Sequence, residues 1–197
     1  MAQGSRIRIS FSPIACVYLS LILLAIPVSW VLAWLAAAAV HEFFHCVALW
    51  LCEKEIESID IGIHGAKLRT SDLTPGEIVF CAFAGPLGGI LLLLLFRVFS
   101  RVALCAFVQT LFNLIPILPL DGGQALHGLL QLVLAERRIE STYKAIEVLI
   151  FAALITISIL AAFLWKLGIL PLLLTAALAI RRKKRKIPCK WSGVKVQ

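Results

Sequence analysis

The sequence predicts an all-α polytopic membrane protein of about six transmembrane helices, with a small β-hairpin after the second. Three observations predict it. The 197 residues are 61% hydrophobic and only 15% charged, against about 45–50% and about 25% in soluble domains, and the mean hydropathy is +0.97. Charge-free runs at 9–40, 78–96, 102–120 and 148–165 each approach or exceed the roughly 18 residues that mark a membrane helix. Period-two alternation of Ile59, Ile61 and Ile63 before Gly65 is a strand pattern ending in a turn. A soluble globular domain is excluded, and the spans leave room for one membrane domain, 1–180, and a basic tail, 181–197.

In chain order, Arg6 and Arg8 precede an apolar run that continues far past a signal-peptide core, so it reads as an uncleaved first span. A helix of 32 charge-free residues would be about 48 Å long against a hydrocarbon core of about 30 Å. Pro27 therefore divides two spans, 11–26 and 29–52. The polar stretch after Glu53 holds the hairpin, and spans at 78–96 and 102–120 follow. Pro116 and Pro119, just before Asp121-Gly122-Gly123, exclude regular helix from the last turns of that fourth span. An amphipathic segment at 122–135 carries Gln124, His127 and Gln131 on one stripe, and spans at 145–163 and 165–180 close the series. His64 and His127 read as surface or hairpin histidines, and Glu147 as an interfacial residue beside Lys144.

The sixth run has only 14 residues between Lys166 and Arg181, and charge asymmetry supports it as a crossing. With six spans both termini share a side, and the 19 Lys and Arg residues divide 16 against three in favour of that side. The positive-inside rule makes it cytosolic, with Lys166 snorkelling to extend the short span. Eight of the basic residues lie in the last 17. Directly after an apolar span they read as an anchor at anionic lipid rather than as a nucleic-acid surface. The six cysteines show no CxxC and no regular spacing, which suggests neither a disulfide framework nor a cysteine-based zinc site.

The sharpest chemical signal is His41-Glu42-Phe43-Phe44-His45. Imidazoles at i and i+4 share a helix face and can bind one zinc ion (Zn2+), with the glutamate beside them. In such a site the metal lowers the pKa of its water to around 7, and the carboxylate takes the proton and passes it to the leaving amine. Ionisable groups near mid-bilayer cost about 2.5–3.5 kcal/mol each on insertion scales, so three in five residues demand a partner or a function. A catalytic zinc usually has three protein ligands. Asp121, after the broken end of the fourth span, is the leading candidate for the third.

The HEFFH segment with Ala48, then Ala84-Gly85-Pro86-Leu87-Gly88-Gly89, then Asn113-Leu114-Ile115-Pro116 through Leu120-Asp121-Gly122, together resemble the site-2 protease family of intramembrane zinc metalloproteases, peptidase family M50. Within it the chain looks most like the compact stage IV sporulation FB-type branch. The resemblance covers residues 15–130. It implies His41, His45 and Asp121 as ligands of one zinc ion, Glu42 as the catalytic acid and base, and Asn113 as a residue that positions substrate. Gly85 and Pro86 match a segment assigned to close helix packing and a local break. The resemblance also makes the 55–70 region a membrane-associated β-hairpin able to hold an unwound substrate by strand addition; from its residues alone a plain cytosolic connector serves equally. Two departures stand out. Only 17 residues follow the last apolar run, so the CBS domain of some relatives is not expected, and Phe44 stands where many relatives have a small residue.

The expected function is an intramembrane zinc endopeptidase that cleaves a transmembrane or membrane-associated segment near the cytosolic leaflet. Its implied partners are a membrane-protein substrate, such as a transcription-factor precursor or an anti-sigma factor, membrane regulators and anionic lipid. Two other readings remain. An ion or proton transporter would use the same buried groups as a relay, but the two halves show no repeat of HEFFH or of the Asn113–Asp121 motif. A catalytically silent scaffold would have no use for Glu42 beside three ligands.

Overall fold

The computed structural model describes residues 8–11, 23, 26–62, 65–70, 73–164 and 175–176. Within them lie five helices and a three-stranded sheet, in the order β1 (Arg8–Phe11), α1 (Val28–Leu51), β2 (Ile56–Gly62), β3 (Gly65–Thr70), α2 (Pro75–Leu93), α3 (Ser100–Asn113), α4 (Asp121–Val133) and α5 (Glu136–Leu164). Among the described residues, three helices are long and apolar enough to cross a membrane: Val28–Leu51, Pro75–Leu93 and Glu136–Ala161. Nearly all of the expected spans 11–26 and 165–180, like His64 and the basic tail, lies outside the described residues.

Helix α1 begins directly after Pro27 and stops in a tight backbone wrap. Glu53 takes a left-handed φ of 55°, which lets its N–H reach the Trp50 carbonyl at 3.0 Å and the Lys54 N–H reach that of Leu49 at 3.0 Å. These are the paired bonds of a Schellman stop, a place that favours glycine. Helix α2 opens on a capping box. The Thr74 N–H donates to Glu77 Oε2 at 2.7 Å and the Glu77 N–H donates to Thr74 Oγ1 at 3.4 Å, with Pro75 at the first helical position, where its missing donor costs nothing. Lys54 Nζ stands 3.2 Å from Glu77 Oε2, so the end of α1 is tied to the start of α2.

The fourth expected span, 102–120, is corrected. Helix stops at Asn113, and 14 residues extend only about 21 Å, short of a hydrocarbon core of about 30 Å. Pro116 and Pro119 keep residues 114–120 out of helix until Asp121 opens α4. The Leu118 N–H in that segment donates to the Tyr143 hydroxyl oxygen of α5 at 2.8 Å. Glycines at 122 and 123 allow the segment to lie across the first turn of α4. A Cβ on Gly122 would collide with the Leu114 and Ile115 backbone, and one on Gly123 with that of Ile117 and Leu118.

Helix α5 starts at Glu136, nine residues before the expected 145. Its exposed face carries the Glu140–Lys144 pair at 2.6 Å, while Tyr143, Glu147 and Phe151, one turn apart, are all buried. Glu147 is therefore a residue of the protein interior and not an interfacial one, because the helical period puts it on the face of Tyr143. His127 is also half-buried, its ring 5.8 Å from that of Tyr143.

The all-α expectation needs a second amendment. Antiparallel β2 and β3 pair Ile59 with Leu68 and Gly62 with Gly65, and β1 adds to β2 in parallel, Ile9 beside Ile59. The order β1-β2-β3 makes a small sheet. Alternation in Arg6-Ile7-Arg8-Ile9-Ser10-Phe11 was the available signal for β1. The proximity of an apolar run concealed it.

Helix α2 is the hub, packed on α1, α3 and α4. One core joins Ala48 and Leu49 of α1 to Ile78, Cys81 and Ala84 of α2. A second sets Ala33 and Ala37 of α1 against Cys105 and Ala106 of α3, small residues that let the helices approach closely. The third seals Ile117 and Leu120 against Phe151. The 114–120 segment is thereby fixed between α3 and α5.

Candidate metal centre

His41 and His45 stand one turn apart on the buried face of α1, with ring centroids 4.9 Å apart and planes at 82°. Asp121, the first residue of α4, is brought to them by the broken segment that ends α3. All three side chains are buried. His41 Nε2 lies 2.9 Å from Asp121 Oδ2, His45 Nε2 lies 3.3 Å from the same oxygen, and the two Nε2 atoms are 3.2 Å apart. Residues 80 positions apart in sequence thus converge on one point.

Proton bookkeeping decides what that point can hold. The His45 Nδ1–H donates to the Cys81 carbonyl oxygen at 2.8 Å, so in the neutral ring Nε2 is a bare lone pair. His41 Nε2 has a single lone pair or a single proton, yet faces Asp121 Oδ2, His45 Nε2 and, at 3.2 Å, Asn113 Nδ2. A proton there satisfies one neighbour and leaves the His45 nitrogen and the carboxylate, both acceptors, facing each other in a low dielectric. One cation satisfies the three acceptors, His41 Nε2, His45 Nε2 and Asp121 Oδ2, at once.

The spacing fits such an ion. Donors on a tetrahedral zinc with bonds of 2.0–2.1 Å stand about 3.3 Å apart, and the separations here are 2.9, 3.2 and 3.3 Å. Two imidazoles and a carboxylate suit zinc, and three protein ligands leave a coordination position open. Among the described residues, His41, His45 and Asp121 form the one group of three or more candidate ligands.

The sequence-predicted residues are thus largely brought together. Glu42 follows His41 on α1, half-buried, with Oε2 shielded from solvent. Asn113 ends α3 beside His41. His127 and Glu147 belong to no metal-ligand group. Phe44 has its own accommodation, because it fills the space left by Gly88, where a Cβ would stand 2.7 Å from the Phe44 Cγ. Sequence reasoning missed the Cys81 carbonyl, which leaves no trace in residue type, and the contact of Gly85 with the histidines. The sequence marked Gly85, with Pro86, for close helix packing without saying against what.

A membrane protein with a buried His-His-Asp group able to hold a metal ion is the class that fold and site define. Comparison with known proteins finds two likenesses. Residues 92–158 match Peptidase family M50, a third of the chain that includes Asn113 and Asp121 but not the two histidines. The fold is similar to that of a solved site-2 protease from Methanocaldococcus jannaschii, with a TM-score of 0.64 and 18% identity over 100% of this chain and 97% of that one. No curated protein sequence matches.

Proposed function

We propose that this chain is an intramembrane zinc endopeptidase of the site-2 protease type. The observation that carries the reading is the convergence of His45 Nε2, His41 Nε2 and Asp121 Oδ2 within 3.3 Å of one another on a protein with membrane-length helices. The partial match to Peptidase family M50 and the shared fold support the same activity.

His41, His45 and Asp121 would hold the ion. When bound, zinc supplies Lewis-acid chemistry, acidifying water and polarising a carbonyl. Glu42, adjacent to the ligand His41, takes the proton of the attacking water and returns it to the leaving amine. The peptide C–N bond breaks as a C–O bond forms, giving a carboxylate and an amine. Asn113, beside His41, offers an amide N–H to the substrate carbonyl and orients it. A membrane helix hides its backbone in its own hydrogen bonds. The substrate, a transmembrane or membrane-associated segment, therefore unwinds locally, and the outer edge of β3, the strand that ends the order β1-β2-β3, is placed to receive an extended strand. A transcription-factor precursor or an anti-sigma factor fits that description, with the stage IV sporulation FB-type branch as the specific parallel. The cytosolic placement of both termini and the anchoring of the basic tail at anionic lipid belong to the same reading.

The test is co-expression and detergent reconstitution with candidate membrane-tethered substrates, scored by size shift. Wild type should cleave, a chelator should stop cleavage and zinc should restore it. Glu42→Gln should retain zinc and lose at least about 100-fold in rate, as expected for loss of a general base. Cleavage by Glu42→Gln at the wild-type rate would overturn the assignment. Zinc uptake into vesicles, abolished by Asp121→Ala, would favour a transporter instead.

A further inference from the structure

Resting on the metal reading above, we propose that Gly85 and the Cys81 backbone carbonyl, one turn apart on α2, form a supporting wall of the metal centre. The carbonyl holds His45 in the tautomer that ligates through Nε2, and the bare Cα of Gly85 leaves open the volume in which the ion sits. Both are positioning elements contributed by a helix that supplies no ligand.

The carbonyl acts through the ring proton. Its 2.8 Å bond from His45 Nδ1 is fully buried, and His45 has no exposed surface. A ligating histidine characteristically donates its other nitrogen to a carbonyl or carboxylate, which sets tautomer and ring angle. The bond therefore does two things. It puts the proton on Nδ1, and it aims the Nε2 lone pair at His41 and Asp121.

Gly85 acts through the atom it lacks. A Cβ at this position would overlap His45 Nε2 and stand 2.7 Å from both His41 Nε2 and His45 Cε1. Zinc sits about 2.0–2.1 Å from an imidazole nitrogen, so a Cβ within reach of both Nε2 atoms competes for the space an ion bonded to both rings must use. Glycine weakens a helix interior relative to alanine. Here alanine is excluded by the imidazole edges. Because Cys81 and Gly85 are spaced i, i+4, both effects come from one face of α2, which the α1–α2 core at Ala48, Leu49, Ile78 and Ala84 holds against α1.

The experiment uses the full chain in detergent micelles. Wild type should bind one zinc per chain by elemental analysis and give the visible bands of a four-coordinate site when loaded with cobalt(II). Gly85→Ala should lose at least about tenfold in zinc affinity, the scale of a disturbed ligand support, and should lose or shift the cobalt bands with unchanged helix content by circular dichroism. Nitrogen-15 spectra of histidine-labelled wild type should show His45 protonated at Nδ1. If Gly85→Ala fails to fold, the comparison is made in the His41→Ala/His45→Ala background, which removes both rings a Cβ would meet. Without those rings, Gly85→Ala should leave the thermal midpoint unchanged or raised relative to His41→Ala/His45→Ala alone. Wild-type zinc affinity and cobalt spectrum in Gly85→Ala, a bare Nδ1 on His45, or a penalty that persists without both rings would each overturn the proposal. Absence of zinc binding by wild type is a separate result that would overturn the protease reading first.

Discussion

Replacing Tyr143 by phenylalanine tests whether the route from α3 to Asp121 is held by α5. The substitution keeps the ring that meets His127 and removes one oxygen. That oxygen accepts the Leu118 N–H at 2.8 Å, and both residues are 7% exposed. Tyr143→Phe therefore strands a buried backbone donor. Such a loss costs about 1–3 kcal/mol, a shift of about five- to 150-fold in the folding equilibrium. Because the freed segment ends one residue before Asp121, zinc affinity should weaken in the same variant. Equilibrium unfolding in mixed micelles, followed by tryptophan fluorescence, measures the first effect, and competition with a chromogenic chelator measures the second. Glu140→Gln, which breaks the exposed pair to Lys144, is the control and should leave both readings unchanged. Stability of Tyr143→Phe within about 0.3 kcal/mol of wild type, less than any buried donor loss, would refute the reasoning.

Three further outcomes follow from the same geometry. Glu53→Gly should stabilise the chain by about 1 kcal/mol in the same unfolding assay, because glycine adopts the left-handed φ of 55° without the Cβ penalty. Gly88→Ala should destabilise by about 1–3 kcal/mol through overpacking against Phe44, and a double-mutant cycle with Phe44→Ala should recover most of that loss. Burial holds the His127 imidazole below its ordinary range, so between its folded and unfolded pKa values the unfolded chain binds more protons. That contribution to stability is fully present above the unfolded value of about 6.5 and is lost as pH falls from there through the lower folded value. The thermal midpoint of His127→Gln should consequently fall less between pH 7 and 5 than that of wild type.

Particular residues show where sequence reading succeeds and where it stops. HEFFH was legible because the i, i+4 spacing of His41 and His45 is local, and a helix converts local spacing into proximity without help from the rest of the chain. The break after Asn113 was legible for a similar reason, since Pro116 and Pro119 forbid helix wherever they stand. Glu147 was misplaced because its environment depends on which face of α5 meets the interior, and the adjacent Lys144 suggested the wrong one. β1 was missed because a four-residue strand is stabilised by its partner β2, whose position the local pattern does not contain.

The sequence by itself determined the solvent of this protein, the helical phase of its two histidines, the break before Asp121 and the candidate set for the metal. Apolar content, spacing and proline act within a few residues or through composition, so they survive without coordinates. Only the tertiary structure decided that Asp121 Oδ2 stands 2.9 Å from His41, that a carbonyl of α2 orients His45, and that Gly85 owes its place to the imidazole edges it faces. Those contacts join residues 36 to 80 positions apart. They exist because small residues and glycines let α1, α2 and α4 approach closely enough for backbone and ring atoms to touch.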